Sequence, residues 1–161
     1  TMGPLQPTPD VQSSDWRDTL ETNLTSAFLG AKHQIPAMLA RGGGSIILTS
    51  TFVGYTAAFA GTAAYAASKA ALHHLTAAAA YELGPVGLRV VGVAPGLVDR
   101  PGLAQDWPDG HARWCRASAL GRPVTPEEVA AVVAFLASPA AGAVTGITVP
   151  VDAGWSASPG W

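Results

Sequence analysis

Two short apolar runs constrain this chain more than anything else in it. Ser45-Ile46-Ile47-Leu48-Thr49 and Leu88-Arg89-Val90-Val91-Gly92-Val93 have the look of strands buried on both faces, and strands of that kind belong to parallel sheets. Parallel neighbours need a crossover, normally a helix, because a tight turn cannot join them. The stretch between supplies one: an alanine-rich helix is expected from about Thr62 to Leu83, closed by Gly84 with Pro85 after it. Thr125-Pro126-Glu127-Glu128 is a capping-box pattern opening another helix through Ala137, and Gly146 to Val151 gives a last strand. Upstream, Ser13 or Ser14 can cap a helix whose apolar stripe is Trp16, Leu20, Leu24, Ala27, Phe28 and Ala31, which Pro36 should end or kink. Residues 1–12, with Pro4, Pro7 and Pro9, read as an arm. The alternation predicts an α/β fold with a doubly wound parallel sheet and right-handed crossovers, as a single partial domain over residues 1–161. A sheet of this type is built from two halves, and this chain supplies about one, with no internal repeat to provide the other.

Composition narrows the class further. Of 161 residues, 48% are apolar and 12% charged, which is material for one buried core and unlike a disordered chain. A net charge of -2 without a run of like charges argues against nucleic acid or a membrane surface as a partner. Cys115 is the single cysteine, so an intrachain disulfide and a cysteine metal cluster are both excluded. No apolar stretch reaches the length of a membrane span and the first residues lack a signal-peptide layout, so the expectation is a cytoplasmic protein.

Tyr65 and Lys69 stand one helical turn apart and share a face of the expected helix. A phenol with a pKa near ~10 is a poor acid or base at neutral pH, but an ammonium about 5 Å away favours the phenolate by roughly 3 kcal/mol, or about two pKa units. Thr49-Ser50-Thr51 ends the first buried strand on its C-terminal side, where open parallel sheets bind ligands, and Pro95-Gly96 follows the second. Asn23 falls inside an apolar stripe, where an amide needs hydrogen-bond partners.

With these residues in place, the segments Gly44 to Thr51, Ala64-Tyr65-Ala66-Ala67-Ser68-Lys69-Ala70-Ala71-Leu72, Leu88 to Gly96, Thr22-Asn23-Leu24 and Thr145 to Asp152 together resemble the short-chain dehydrogenase/reductase family in order and spacing. The resemblance runs from Trp16 to near the end of the chain and implies a Rossmann-like fold, an NAD or NADP cofactor, and hydride exchange with a small carbonyl or alcohol substrate. By position it makes Tyr65 the acid/base, gives Lys69 the nicotinamide ribose and the tuning of Tyr65, has Asn23 anchor a water that relays protons to Lys69, and places Pro95, Gly96 and Val98 beside the nicotinamide. The family usually carries serine as the carbonyl-orienting residue. Aligning Phe52-Val53-Gly54 with the turn that follows puts Thr51 there, with Ser50 as the alternative. Arg100 stands where a threonine often binds the nicotinamide amide. The family's glycine-rich phosphate loop would precede Thr1, so the chain reads as the C-terminal part of such an enzyme and is expected to bind dinucleotide poorly by itself. Gly42-Gly43-Gly44 is no substitute, since it enters a strand instead of leaving one. The family also implies a homo-oligomer, dimer or tetramer, through the helices of Trp16 to Gln34 and Thr62 to Leu83. A non-catalytic remnant serving as an interaction module is the rival reading.

Other residues are set aside or held open. His73 and His74, as helix neighbours about 100° apart, cannot share a metal ion, so no metal site is expected. Residues 100–120 fall where the family has a substrate lid, in which Trp107, His111 and Trp114 are candidates to shape an apolar pocket. Cys115, with no base placed for it, reads as an incidental thiol. Trp155 and Trp161 are candidates for a subunit contact.

Overall fold

A computed structural model of the chain describes residues 1–56 and 59–158. Trp161, expected at a subunit contact, lies outside the described residues. Three strands, β1 (Gly44–Thr49), β2 (Leu88–Pro95) and β3 (Thr148–Val151), form one sheet in the order β1-β2-β3. Both pairings are parallel, with Ile46 opposite Val90 and Val93 opposite Val149, as the doubly wound reading predicts. The central strand is buried along nearly its whole length. β1 alternates, with Ile46 and Leu48 buried and Ile47 half-buried, because successive side chains point to opposite faces and the face of Ile46 and Leu48 is the more fully covered.

Helices cover both faces. The N-terminal helix runs as α1 (Ser13–Leu20), a widened π-helical turn (Glu21–Thr25) and α2 (Ser26–Ala40). The crossover from β1 to β2 is α3 (Ala63–Leu83). α2 and α3 lie on one face, where Ile46, Leu48, Leu88 and Val90 meet Ala80 and Leu83, flanked by Ala27, Ala31, Ile35 and Met38. After β2 come the short α4 (Leu103–Asp106), α5 (Pro108–Ala117) and α6 (Pro126–Ala137). α6 lies along the sheet, where Ser45 Oγ donates to the Leu136 carbonyl at 3.3 Å. The capping box expected at Thr125 is formed in both directions: Glu128 N–H donates to Thr125 Oγ1 at 3.2 Å, and Thr125 N–H to Glu128 Oε2 at 2.9 Å. Arg122 pairs with the same carboxylate at 2.7 Å and, with the capping bond, draws Glu128 down to about 2.

Several local expectations are corrected. Pro36 does not end its helix, which continues to Ala40; the proline and Lys32, whose carbonyl loses its partner, are both exposed, so water can satisfy the freed group. α3 does close at Leu83 with Gly84 as its cap, as expected, but Gly84 keeps a right-handed helical backbone and starts a 3₁₀ turn, and the left-handed residue is Gly87 at φ 83°. β2 does not stop at Val93: Ala94 and Pro95 pair with Pro150 and Val151. β3 begins at Thr148, because Gly146 takes φ 75° and turns the chain before the ladder.

Candidate active site

The tips of β1 and β2 and the first turns of α3 bring the predicted residues together. Thr49 ends β1, and Ser50 and Thr51 continue from it with both hydroxyls buried. Their side chains diverge. Thr51 Oγ1 donates to the Pro95 carbonyl at 3.3 Å and lies close enough to the Tyr65 phenol to draw its pKa down. Ser50 Oγ instead donates to the Lys69 carbonyl at 2.8 Å and meets His73 Nε2 at 2.6 Å. According to the tautomer of a neutral His73, Nε2 either donates to Oγ while the serine proton goes to the carbonyl, or accepts the serine proton. Burial holds the His73 pKa below its ordinary value, which keeps the ring neutral.

Burial pushes the Tyr65 phenol above its usual range, more than the Thr51 hydroxyl draws it back. The downward pull expected from Lys69 does not figure in that balance. The lysine ammonium, its own pKa lowered by burial, donates to the Thr49 carbonyl at 2.9 Å. An ammonium has three donors, and this is the one bond it makes among the described residues.

Asn23 lies in the π-helical turn and is buried. Its Nδ2 donates to Ser68 Oγ at 3.0 Å and to the Thr1 carbonyl at 2.8 Å, and its Oδ1 accepts from the Thr1 nitrogen at 2.7 Å. Ser68, fully buried, donates in turn to the Tyr65 carbonyl at 2.7 Å. The amide thus braces the turn of α3 that carries Tyr65 and Lys69, and its direct partners do not include Lys69. A π-helical turn is a common mark of a functional position in a helix.

At the end of β2, Gly96 N–H donates to the Val151 carbonyl at 2.9 Å. The space a side chain would need at Gly96 is filled by Trp114 Cζ2, 2.6 Å from an ideal Cβ, and by Asp152 at 2.8 Å. Gly96 therefore serves close internal packing. Val98 forms an isolated bridge with Val124. Arg100 is exposed and paired with Asp106 at 2.7 Å.

An aromatic cluster adjoins the phenol. Phe52 meets Trp114 and Trp155 edge-on, each at 4.9 Å, the two indoles stack at 5.3 Å, and Tyr65 packs against the same group. Trp155 therefore packs within its own chain, where a subunit contact was expected. Beside the cluster opens a cavity of about 400 Å³ with Phe59, Trp107, Trp114 and Trp155 among its walls. His111 is turned elsewhere, to within 3.9 Å of the Cys115 sulfur, so an imidazole does stand near that thiol. Sequence reading missed the bond between His73 and Ser50. The signal was present in the spacing, since His73 continues the Tyr65 and Lys69 stripe by one more turn.

Among the described residues no group of three histidine, cysteine, aspartate or glutamate side chains is placed to hold a metal ion, and no helix is long and apolar enough to cross a membrane.

Comparison with known proteins follows the same lines. The family model described as Enoyl-(Acyl carrier protein) reductase matches residues 2–156. Cis-4-hydroxycyclohexanecarboxylate dehydrogenase of Sinomonas cyclohexanicum is 38% identical over 96% of this chain and 61% of its own length. Cyclohexanol dehydrogenase of Acinetobacter sp. (strain SE19) is 34% identical over 96% of this chain and 60% of its own length. A Beutenbergia cavernae protein provisionally named NAD(P)-dependent gluconate 5-dehydrogenase, solved with NADP bound at low occupancy, superposes with a TM-score of 0.88 at 35% identity, covering 98% of this chain and 64% of that one. The chain thus spans about 60% of the length of the curated relatives it matches. With the parallel sheet, the hydroxyl pair at its edge and these relatives in agreement, the chain belongs to the short-chain dehydrogenase/reductase family.

Proposed function

We propose that this chain supplies the acid/base half of a nicotinamide-dependent oxidoreductase that interconverts a cyclic secondary alcohol and its ketone. The observation that carries the reading is the placement of the Thr51 hydroxyl where it acts on the Tyr65 phenol, with Lys69 one turn further along α3 and its ammonium bonded to a single carbonyl. In oxidation, which the raised pKa of Tyr65 shifts to alkaline pH, the deprotonated Tyr65 oxygen takes the alcohol proton, while Thr51 Oγ1 holds the substrate oxygen. In reduction the phenol returns a proton to the ketone oxygen, and its raised pKa keeps it protonated for that task at neutral pH. NAD or NADP, when bound, supplies the hydride acceptor or donor. The spare donors of Lys69 suit ribose hydroxyls, with Asn23 holding the turn beneath through Ser68. Pro95, Gly96 and Val98 border that end of the sheet. Ser50, turned to His73, is a positioning residue in this reading. The cyclic substrate is suggested by the names of the relatives and by the aromatic cavity walls.

The protein is further proposed to be cytoplasmic and to act as a homo-oligomer, dimer or tetramer. Trp16, Phe28, Leu29 and Tyr81 are exposed on α1, α2 and α3, Tyr81 at 90%, as are Ala70, Ala77 and Ala78, so an apolar surface is available to a second copy. Light scattering of the unmodified chain and of Ala78→Arg tests this; a monodisperse monomer for the unmodified chain overturns it.

The chemical test is turnover of cyclohexanol with NAD⁺ or NADP⁺ by the protein that carries this chain. Tyr65→Phe should lower it by about 10²-fold or more without unfolding the protein. Absence of turnover in the unmodified protein would overturn this reading in favour of an assembly module without catalysis.

A further inference from the structure

The aromatic cavity has one chemically distinct feature besides its indole and phenyl walls. Arg113 and Arg116 both line it, from the same side of α5 as Trp107, Gly110, Trp114 and Ala117. Neither guanidinium makes a hydrogen bond or ion pair among the described residues. The other two arginines of this part of the chain are committed: Arg100 to Asp106 and Arg122 to Glu128, each at 2.7 Å. Among the described residues, Arg100 and Arg122, which do not line the cavity, are thus paired, and the exposed Arg113 and Arg116, which do, are not. The indole of Trp107 is seated against the helix itself. An ideal Cβ at Gly110 would lie 1.8 Å from that ring, so only glycine there lets the ring lie down and form a flat wall.

We infer that this cavity takes a ring-shaped alcohol or ketone bearing a carboxylate away from the reacting carbon, with the ring against Phe59, Trp107 and Trp114 and the carboxylate on Arg113 and Arg116. This rests on the dehydrogenase reading, since Trp114 bounds the cavity and also packs in the cluster that holds Tyr65. A volume of about 400 Å³ is within the range of small-molecule sites. Flat aromatic walls favour an alicyclic or aromatic ring, and a guanidinium fork matches the planar geometry of a carboxylate. Ser156 and Thr56 add hydroxyls at the rim.

The three tryptophans of the wall are a built-in reporter. Intrinsic fluorescence of the chain is titrated with cyclohexanecarboxylate and with cyclohexanemethanol, a neutral ring of similar size. The carboxylate should bind about tenfold more tightly at low salt, because a charge-assisted contact replaces a neutral one. The double variant Arg113→Gln with Arg116→Gln should bring the two affinities to within about twofold, leaving the neutral ring unaffected. Trp107→Ala should weaken both ligands alike. Equal affinities in the unmodified chain, or a preference that survives in the double variant, overturn the inference. A chain that responds to neither ring overturns it too. In each case cyclohexanol turnover reports separately on the dehydrogenase reading, because that substrate has no carboxylate to recognise.

Discussion

Ser50 and Thr51 are adjacent hydroxyls with opposite fates, and replacing each by alanine separates a structural role from a chemical one. Ser50→Ala removes a hydroxyl that lies 2.8 Å from the Lys69 carbonyl and 2.6 Å from His73 Nε2, at a site that is 5% exposed. The Lys69 carbonyl keeps its place in the helix ladder and His73 is only half-buried, so the loss should be about 1 kcal/mol, the net worth of an ordinary hydrogen bond. For a domain of this size that is a drop in Tm of roughly 2–4 °C. Thr51→Ala loses a long 3.3 Å contact to the Pro95 carbonyl, so its cost in stability should be under about 1 kcal/mol. Turnover should rank the other way: loss of the hydroxyl beside Tyr65 should lower kcat by about 10²-fold, as removal of one oxyanion donor does. Ser50→Ala should cost no more than about tenfold, through slight displacement of α3. Thermal unfolding followed by circular dichroism gives the first ranking and steady-state kinetics the second. If Ser50→Ala is as stable as the unmodified chain and loses more activity than Thr51→Ala, the roles assigned to the two hydroxyls are wrong.

His73 adds a pH dependence. Its pKa is lowered in the folded chain, so below the ordinary value of 6.5 the unfolded state binds the extra proton first, and stability should fall as pH drops below 6.5 and level off above it; His73→Gln should flatten that part of the profile in urea titrations. Gly96→Ala should destabilise by about 1–3 kcal/mol, because the new methyl group meets the Asp152 backbone as well as Trp114; an unchanged Tm would mean the loop shifts freely. Thr125→Ala should cost about 1 kcal/mol through loss of the capping box, readable as a shifted denaturant midpoint at constant slope.

The β-α-β unit and the capping box were legible because each is written in local periodicity: apolar runs for β1 and β2, glutamate three residues after threonine for α6. The neighbourhood of Tyr65 and Lys69 was legible for the same reason, as one turn of one helix. What the ammonium does was not, because its acceptor is the Thr49 carbonyl and spacing within α3 says nothing about a backbone group on another element. The end of β2 was misjudged at Pro95, where a residue without an N–H usually signals a break. Here Pro95 is the last residue of its strand and uses its carbonyl, accepting from Thr51. The packing of Trp155 was not legible because its partner Trp114 is distant in sequence.

The π-helical turn at Glu21–Thr25 does more than carry a buried amide. Thr19, Asn23, Ala27, Ala31 and Ile35 recur every fourth residue, and all five face inward or pack on the core. In an unbroken α-helix a four-residue repeat creeps round the axis by about 40° at each step, so the stripe from Thr19 to Ile35 would wander through about 160°. One residue inserted without rise in phase takes back about 100°, and the inward line is held to about 60°. The widened turn is thus a phase correction in a rod whose chemical repeat and mechanical pitch disagree. Deleting a single residue within it should leave a smoother helix that can present Thr19 to the first turns of α3 or Ile35 to the sheet, and not both at once.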